Sequence, residues 1–303
     1  MKIWLDTDIG GDIDDALALL LSVAEKDVEL VGVSTVFENT DARARIIKTL
    51  LEMCGNTHTP VFAGEGFPYK AKYVHGLLIE QQKLPKTYIK EVFDGAEYCK
   101  EGAIEGLKNA AEKYGNELSV VSIGALTNIA KFIEKYPEIA EKVNCLYIMG
   151  GAQKMNLNEF NFSCDPEAAD IVLSSKIMKK IVTLDVTFRC ELSARQIERL
   201  KQCKSVAVRT VMNMSQLWGE GMILHDPLVL AVAISDEFVR FEKGYLKVEL
   251  EGEFSRGKCI DLCDFNWRRE GREDTLVSTD VKATEFTEYF VARICALDKA
   301  LIN

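Results

Sequence analysis

Five carboxylates, Asp6, Asp8, Asp12, Asp14 and Asp15, stand within ten positions of the stretch MKIWLDTDIGGDIDDALALL. An apolar run at 3–5 leads in, the Gly10-Gly11 pair sits among the acids, and a helix-like run at 16–23 leads out. This parses as strand, glycine turn and helix. The acids therefore crowd the C-terminal end of a buried strand and the first turn of a helix. Carboxylates this close repel and cannot all stay ionised without compensation. A helix N-terminus offers free N–H groups and roughly half a positive charge. Asp12-x-x-Asp15 has the spacing of a modest capping box. Capping accounts for one or two of the acids and leaves Asp6 and Asp8 unexplained. A hard divalent cation, Ca²⁺ or Mg²⁺, takes oxygen ligands of this kind and is the stronger expectation. An EF-hand loop is excluded, because glycine falls at its fifth place rather than its sixth.

The remaining 283 residues bound the setting. The 303-residue chain is 48% hydrophobic with a net charge of −10, so it suits a globular protein and predicts neither nucleic acid nor an anionic membrane among its partners. Apolar runs fall short of a membrane span and no secretory leader is read before Asp6. Nine scattered cysteines, an odd count without paired spacing, read as reduced thiols, and Cys259-x-x-x-Cys263 alone makes no zinc site. The expected location is cytoplasmic.

Apolar, β-branched runs at 28–36, 59–63, 118–123, 143–149 and 181–186 alternate with helical patterns at 41–54, 96–114 and 126–135. Asp165-Pro166 opens a further helix to about 175, with Asp at the N-cap and Pro at the first position. Residues 191–235 read as mostly helical, 238–250 and 275–282 as antiparallel hairpin strands, and 285–301 as a closing helix. The expectation is one α/β domain over residues 1–303, with an open, mainly parallel sheet flanked by helices, a helical C-terminal part and a small antiparallel hairpin. Ligands bind such sheets beyond the carboxyl ends of the strands. That rule gathers 6–15, 35–39, 123–128 and 150–161 on one rim.

Asp6-Thr7-Asp8-Ile9-Gly10-Gly11-Asp12-Ile13-Asp14-Asp15-Ala16 resembles the acidic signature of the inosine–uridine-preferring nucleoside hydrolases. Gly124-Ala125-Leu126-Thr127-Asn128 is similar to its Gly-Pro-Leu-Thr-Asn turn. Gly150-Gly151, Glu159-Phe160-Asn161 and Asp165-Pro166-Glu167-Ala168-Ala169 resemble a later block, and His75-Gly76 and His225-Asp226 two more sites. The resemblance implies a nucleoside hydrolase-like fold, Ca²⁺, and hydrolysis of the N-glycosidic bond of a ribonucleoside to ribose and nucleobase. It implies that Asp8 ligates calcium and is general base toward a metal-held water. Asp15, Asp226 and the carbonyl of Ile123 complete the ligands, while Asp14, Asn39, Glu159 and Asn161 hold ribose hydroxyls. His225 stands near the departing base with His75 on the same side, and a homodimer or homotetramer is implied. The chemistry agrees: oxocarbenium character is favoured by carboxylates, a cation lowers the pKa of its water, and a histidine assists the leaving base.

This chain departs from the family pattern in places. Two added residues before the paired acids let Asp12 and Asp14 exchange roles on spacing. The Asp-Asp-Ala run favours Asp14-Asp15, whose side chains point about 100° apart on a helix. The segment between Gly151 and Glu159 is shorter than in the family, which leaves open whether Gln153, Asn156 or Asn158 replaces the family's asparagine for the 5′-hydroxyl, and Asn156 is carried as the substrate-binding candidate. Phe160, Tyr73 or Trp218 can cover the base. Plainer readings stand beside these: His225 as a hydrogen bonder at a helix start, Asn128 as a turn stabiliser, His58 on the surface, and Trp4 and Trp267 in packing. Two competing functions are a haloacid-dehalogenase-type Mg²⁺ phosphatase using Asp6 and Asp8, and a non-catalytic nucleoside or sugar binder.

Overall fold

The computed structural model describes residues 1–70, 83–262 and 275–302. In chain order the first half comprises β1 (Lys2–Thr7), α1 (Asp14–Ala24), β2 (Glu29–Thr35), α2 (Thr40–Met53), β3 (Val61–Ala63), α3 (Lys90–Phe93), α4 (Ala103–Tyr114), β4 (Leu118–Ser122), α5 (Thr127–Lys135) and α6 (Pro137–Ala140). There follow β5 (Cys145–Met149), α7 (Phe160–Cys164), α8 (Pro166–Ser174), β6 (Lys179–Val182), α9 (Leu184–Thr187), α10 (Ala194–Lys201), α11 (Val206–Trp218) and α12 (His225–Ile234). The chain closes with β7 (Val239–Lys243), β8 (Leu246–Val248), β9 (Cys259–Asp261), β10 (Thr275–Val281) and α13 (Ala283–Ile302).

Eight strands form one sheet in the order β3-β2-β1-β4-β5-β6-β10-β7, and only the β7–β10 pairing is antiparallel. The strands are apolar on both faces because helices cover both. One face packs against α1, α2 and the helices α10 to α13 through residues such as Leu17, Ile46, Val229 and Phe290. The other packs against α4, α5, α8 and the β8–β9 hairpin through Trp4, Phe62, Ile129 and Val172. Trp4 does pack: its ring stacks on Phe62 at 5.2 Å and its Nε1 donates to Ser34 Oγ at 2.8 Å. Strand order turns back between β1 and β4, so their carboxyl ends flank a crevice.

Four expected boundaries shift. The helix read from 96 begins at Ala103, since the N–H of Cys99 bonds the Val61 carbonyl at 2.8 Å and extends the sheet edge instead. The strand read at 181–186 stops at Val182, because Thr183 gives its N–H to Ser278 Oγ at 2.9 Å and the chain turns into α9. The strand read at 238–250 divides. Its first part, β7, pairs with β10, and beyond Gly244 the chain forms a separate hairpin of β8 and β9. A Cβ on Gly244 would lie 2.2 Å from Val277 Cγ2, so the break needs glycine. The Asp12/Asp15 capping box does not form: α1 begins at Asp14 with Ile13 at the N-cap and no side-chain cap, because both acids turn to the crevice.

Asn128 proves to be a structural tie, in line with its plainer reading. Its Nδ2 donates to Asp6 Oδ1 at 2.7 Å and to the Thr35 carbonyl at 3.0 Å, while its Oδ1 accepts from the Glu65 N–H at 2.9 Å. Buried polar groups left without partners cost roughly 1–3 kcal/mol each. Asn128→Ala is accordingly expected to destabilise the fold by about 3 kcal/mol, read as a lower midpoint of urea unfolding with an unchanged slope.

Candidate active site

The acidic turn is shaped by two glycines. Gly10 has φ +102°, and a Cβ there would lie 2.7 Å from Pro85 Cβ and 2.8 Å from Ile46 Cδ1. Gly124, beyond β4, lies so near that a Cβ would meet Asp8 Oδ1 at 2.8 Å. The turn is clamped by Arg43 on α2, which is 2% exposed. Its Nη1 donates to the carbonyls of Asp8 and Ile9, the latter at 2.8 Å, and its Nε donates to the Phe37 carbonyl at 2.8 Å. The Thr7 hydroxyl donates to Asp15, and the N–H of Asp226, in the first turn of α12, donates to Asp14 Oδ2 at 3.2 Å.

Asp8, Asp14, Asp15 and Asp226 line a cavity of about 390 Å³ with Gly11, Asp12, Ile123, Met149, Glu159, Phe160, Asn161, Leu184, Trp218 and His225. The Glu159 carboxylate starts α7, accepting from the N–H groups of Gly151, Asn161 and Phe162 at 2.8–3.0 Å. Asn161 Nδ2 donates to the carbonyls of Ile123 at 3.1 Å and Met149 at 3.2 Å. His225 Nδ1 lies 2.7 Å from Thr187 Oγ1, and the Phe188 ring is tilted against the imidazole at 6.2 Å. At the cavity edge Lys86 Nζ sits 4.0 Å over the Trp218 ring.

Burial dominates the electrostatics. Desolvation pushes Asp8 and Asp14 up to about 6, and Asp12, Asp15 and Asp226 well above the usual carboxylate range, with mutual repulsion adding to it. The Arg43 guanidinium works against this at Asp8 and Asp15. Burial also lowers the His225 imidazole, which Asp12 partly offsets. Oxygens of Asp12, Asp14 and Asp15 lie within 4.8 Å of one another, and Asp8, Asp226 and Ile123 line the same cavity. An all-oxygen, strongly anionic and desolvated donor set fits a hard divalent cation, which would relieve the repulsion.

Of the residues singled out from sequence, Asp8, Asp14, Asp15, Ile123, Glu159, Asn161, His225 and Asp226 meet in this cavity. Phe160 and Trp218 also line it. Asn39 does not: its Oδ1 caps α2 by accepting from the Ala42 N–H at 3.0 Å, and its Nδ2 donates to the Lys83 carbonyl at 3.3 Å. Asn156 is exposed and accepts from Lys258 Nζ at 3.2 Å, Asn158 donates to the Arg256 carbonyl, and Gln153 to Asp261. Asp165 caps α8, and Glu167 pairs with Arg256 at 2.5 Å. His75, Tyr73 and Trp267 lie outside the described residues. Asp6 is fully buried, accepts from Ser34 at 2.5 Å and Asn128 at 2.7 Å, and is pushed up to about 7. A carboxylate so enclosed is no phosphatase nucleophile. Sequence reading missed Arg43 and Thr187. Arg43 had a signal, since it shares one helical face with the buried Ile46, Ile47 and Leu50. Thr187 had none.

The family model described as inosine-uridine preferring nucleoside hydrolase matches residues 3–288. The chain belongs to this family. As a nucleoside hydrolase it is an enzyme of ribonucleoside hydrolysis, and its similarity to named relatives runs nearly end to end. It is 30% identical to the "Probable uridine nucleosidase 1" of Oryza sativa subsp. japonica, covering 89% of this chain and 87% of that one. It is 27% identical to the "Pyrimidine-specific ribonucleoside hydrolase RihA" of Escherichia coli O9:H4 (strain HS), over 97% and 98% of the two chains. Among solved structures it superposes on the "Purine-Preferring Ribonucleoside Hydrolase from Gardnerella vaginalis" with a TM-score of 0.86 and 25% identity, covering 99% and 100%. No helix among the described residues is long and apolar enough to cross a membrane.

The raised carboxylates set a pH dependence for the metal-free hydrolase. Asp6, Asp8 and Asp14 hold their protons to about pH 7, 6 and 6 when folded, but release them near 4 when unfolded. The folded state then binds more protons in between, so stability falls as pH rises through this window. In EDTA the melting temperature is expected to be higher at pH 5.5 than at pH 8. A saturating divalent cation is expected to raise it more at pH 8 than at pH 5.5.

Proposed function

We propose that this nucleoside hydrolase is Ca²⁺-dependent and cleaves the N-glycosidic bond of ribonucleosides with Asp8 as general base. The observation that carries the reading is the convergence of Asp8, Asp14, Asp15 and Asp226 with Glu159, Asn161 and His225 on one cavity. Asp8, Asp15, Asp226 and the Ile123 carbonyl would hold the ion, with Asp12 near enough to share that duty. When bound, a cation there lowers the pKa of a coordinated water and fixes its place. Asp8 takes the proton of the attacking water. Asp14, Glu159 and Asn161 hold ribose hydroxyls, and their buried setting strengthens each contact as positive charge develops on the sugar. Asn39, His75 and Asn156 are proposed as further substrate contacts on the family resemblance alone. His225 supplies a hydrogen bond to the leaving base, and Phe160 and Trp218 offer aromatic faces to it.

Relatives named for uridine, pyrimidines and purines stand side by side, so the base is a matter for assay. Assembly as a homodimer or homotetramer is proposed from the resemblance. A cytoplasmic location is supported by the eight described cysteines, all free thiols.

A reducing-sugar assay over inosine, adenosine, guanosine, uridine, cytidine and p-nitrophenyl riboside tests the activity. Asp8→Ala is expected to lower kcat/KM by about 10³-fold, within the range for a lost general base. Ribose release from Asp8→Ala at the wild-type rate would sink the mechanism. Calcium restoring activity to EDTA-treated protein, where magnesium does so poorly, is the expected ion dependence. His225→Ala is expected to lose about 10²-fold on natural nucleosides and far less on p-nitrophenyl riboside, whose leaving group needs no assistance.

A further inference from the structure

One nitrogen of His225 is already committed. Its Nδ1 lies 2.7 Å from the hydroxyl of Thr187, and among the described residues the ring makes no other hydrogen bond. Thr187 is fully buried and cannot swing away. Its N–H donates to the Thr183 carbonyl at 3.2 Å, and its own carbonyl accepts from Cys190 at 2.9 Å. The short helix α9 that carries it is pinned on three sides. Thr183 bonds Ser278 on β10 at 2.9 Å, the Leu184 N–H donates to the Gly151 carbonyl at 2.9 Å, and Asp185 accepts from the Gln153 and Lys154 N–H groups at 2.8 and 2.9 Å.

We propose that Thr187 is a positioning residue that holds the His225 ring with Nε2–H toward the departing nucleobase. This deepens the hydrolase reading and depends on it. The Thr187 hydroxyl stands 2.7 Å from Nδ1 and 3.5 Å from the Leu184 carbonyl; the second distance is too long for a good O–H···O bond, so the hydroxyl proton is assigned to Nδ1. An accepting Nδ1 leaves the ring proton on Nε2. A doubly protonated ring donates from Nδ1 to the same hydroxyl, and Nε2 again keeps its hydrogen. In both forms the nitrogen free to face the cavity is a donor. A heteroaromatic base gathers negative charge as its bond to ribose lengthens, and a donor held in place stabilises it.

The test uses the whole protein. Nitrogen-15 spectra of the imidazoles, with three histidines and His225→Ala to assign the signal, are expected to show Nδ1 as acceptor and Nε2 as the protonated nitrogen. Thr187→Val, with Thr187→Ala beside it should the valine fold poorly, is expected to redistribute the two tautomers, and Thr187→Ser to keep the wild-type pattern. In kinetics Thr187→Val is expected to lower kcat/KM on uridine or inosine by about 10- to 100-fold. The loss on p-nitrophenyl riboside is expected to be at least about tenfold smaller, with Thr187→Ser recovering most activity and His225→Ala masking the valine effect. An unaltered tautomer pattern, or equal losses on nucleosides and p-nitrophenyl riboside, overturns the inference. A wild-type protein that releases ribose from nothing overturns the hydrolase reading instead, and the tautomer measurement still decides the Thr187–His225 link.

Discussion

Crowded negative charge, taken out of water, is the constraint to which the rest of the molecule answers. Oxygens of Asp12, Asp14 and Asp15 fall within 4.8 Å of one another. At an effective dielectric near 20, each ionised pair at that spacing costs about 3–4 kcal/mol. Three such pairs approach the whole stability of an ordinary domain, about 5–15 kcal/mol. The fold cannot carry that load as bare charge. Protons relieve it in part, since burial first and mutual repulsion second push the carboxyls up, and the Arg43 guanidinium, bonded to the carbonyls of Asp8 and Ile9, relieves it further. A bound cation would relieve what is left, and the cluster of Asp12, Asp14 and Asp15 has the oxygen donors for one.

The sheet brings the donors together without long loops. Its strand order turns back between β1 and β4, so the Asp8 turn and the Ile123-Gly124 turn are neighbours by topology. Glycine at 124 lets their backbones approach to a distance that a methyl group would forbid. Asp226 arrives from the first turn of α12, whose packing on α1 fixes its place beside Asp14. The Asn128 tie holds β1, β2 and the segment after β3 together just behind the cavity.

What could be read from sequence was what is local. The acidic stretch, Glu159-Phe160-Asn161, His225-Asp226 and the Asp165-Pro166 helix start carry their chemistry in a few adjacent letters, and the structure places them as units. Alternating apolar runs likewise gave the parallel sheet, because strands covered on both faces are continuously apolar. The misses depend on distant partners. Nothing around Thr187 announces a histidine 38 residues away. The division of 238–250 is set by Val277 crowding Gly244, and the end of the strand near 182 by Ser278. The letters around Asn39 do not tell that its oxygen also caps the N-terminus of α2. The capping box failed for a related reason: helix ends and crevices compete for the same acids, and here the crevice takes them.

Phe37 and Glu38 both adopt left-handed backbone angles, φ +68° and +56°, without being glycine. Such residues carry about 1–3 kcal/mol of strain each, kept only where surroundings over-determine them. Here Arg43 holds the Phe37 carbonyl and the Glu38 side chain, and the Phe37 ring meets Phe160 edge-on at 6.0 Å. One guanidinium thus holds the strained pair on one side and the acidic turn on the other. Glycine at 37 or 38 would relieve the strain and loosen the backbone, and at 37 it would also remove the ring that meets Phe160.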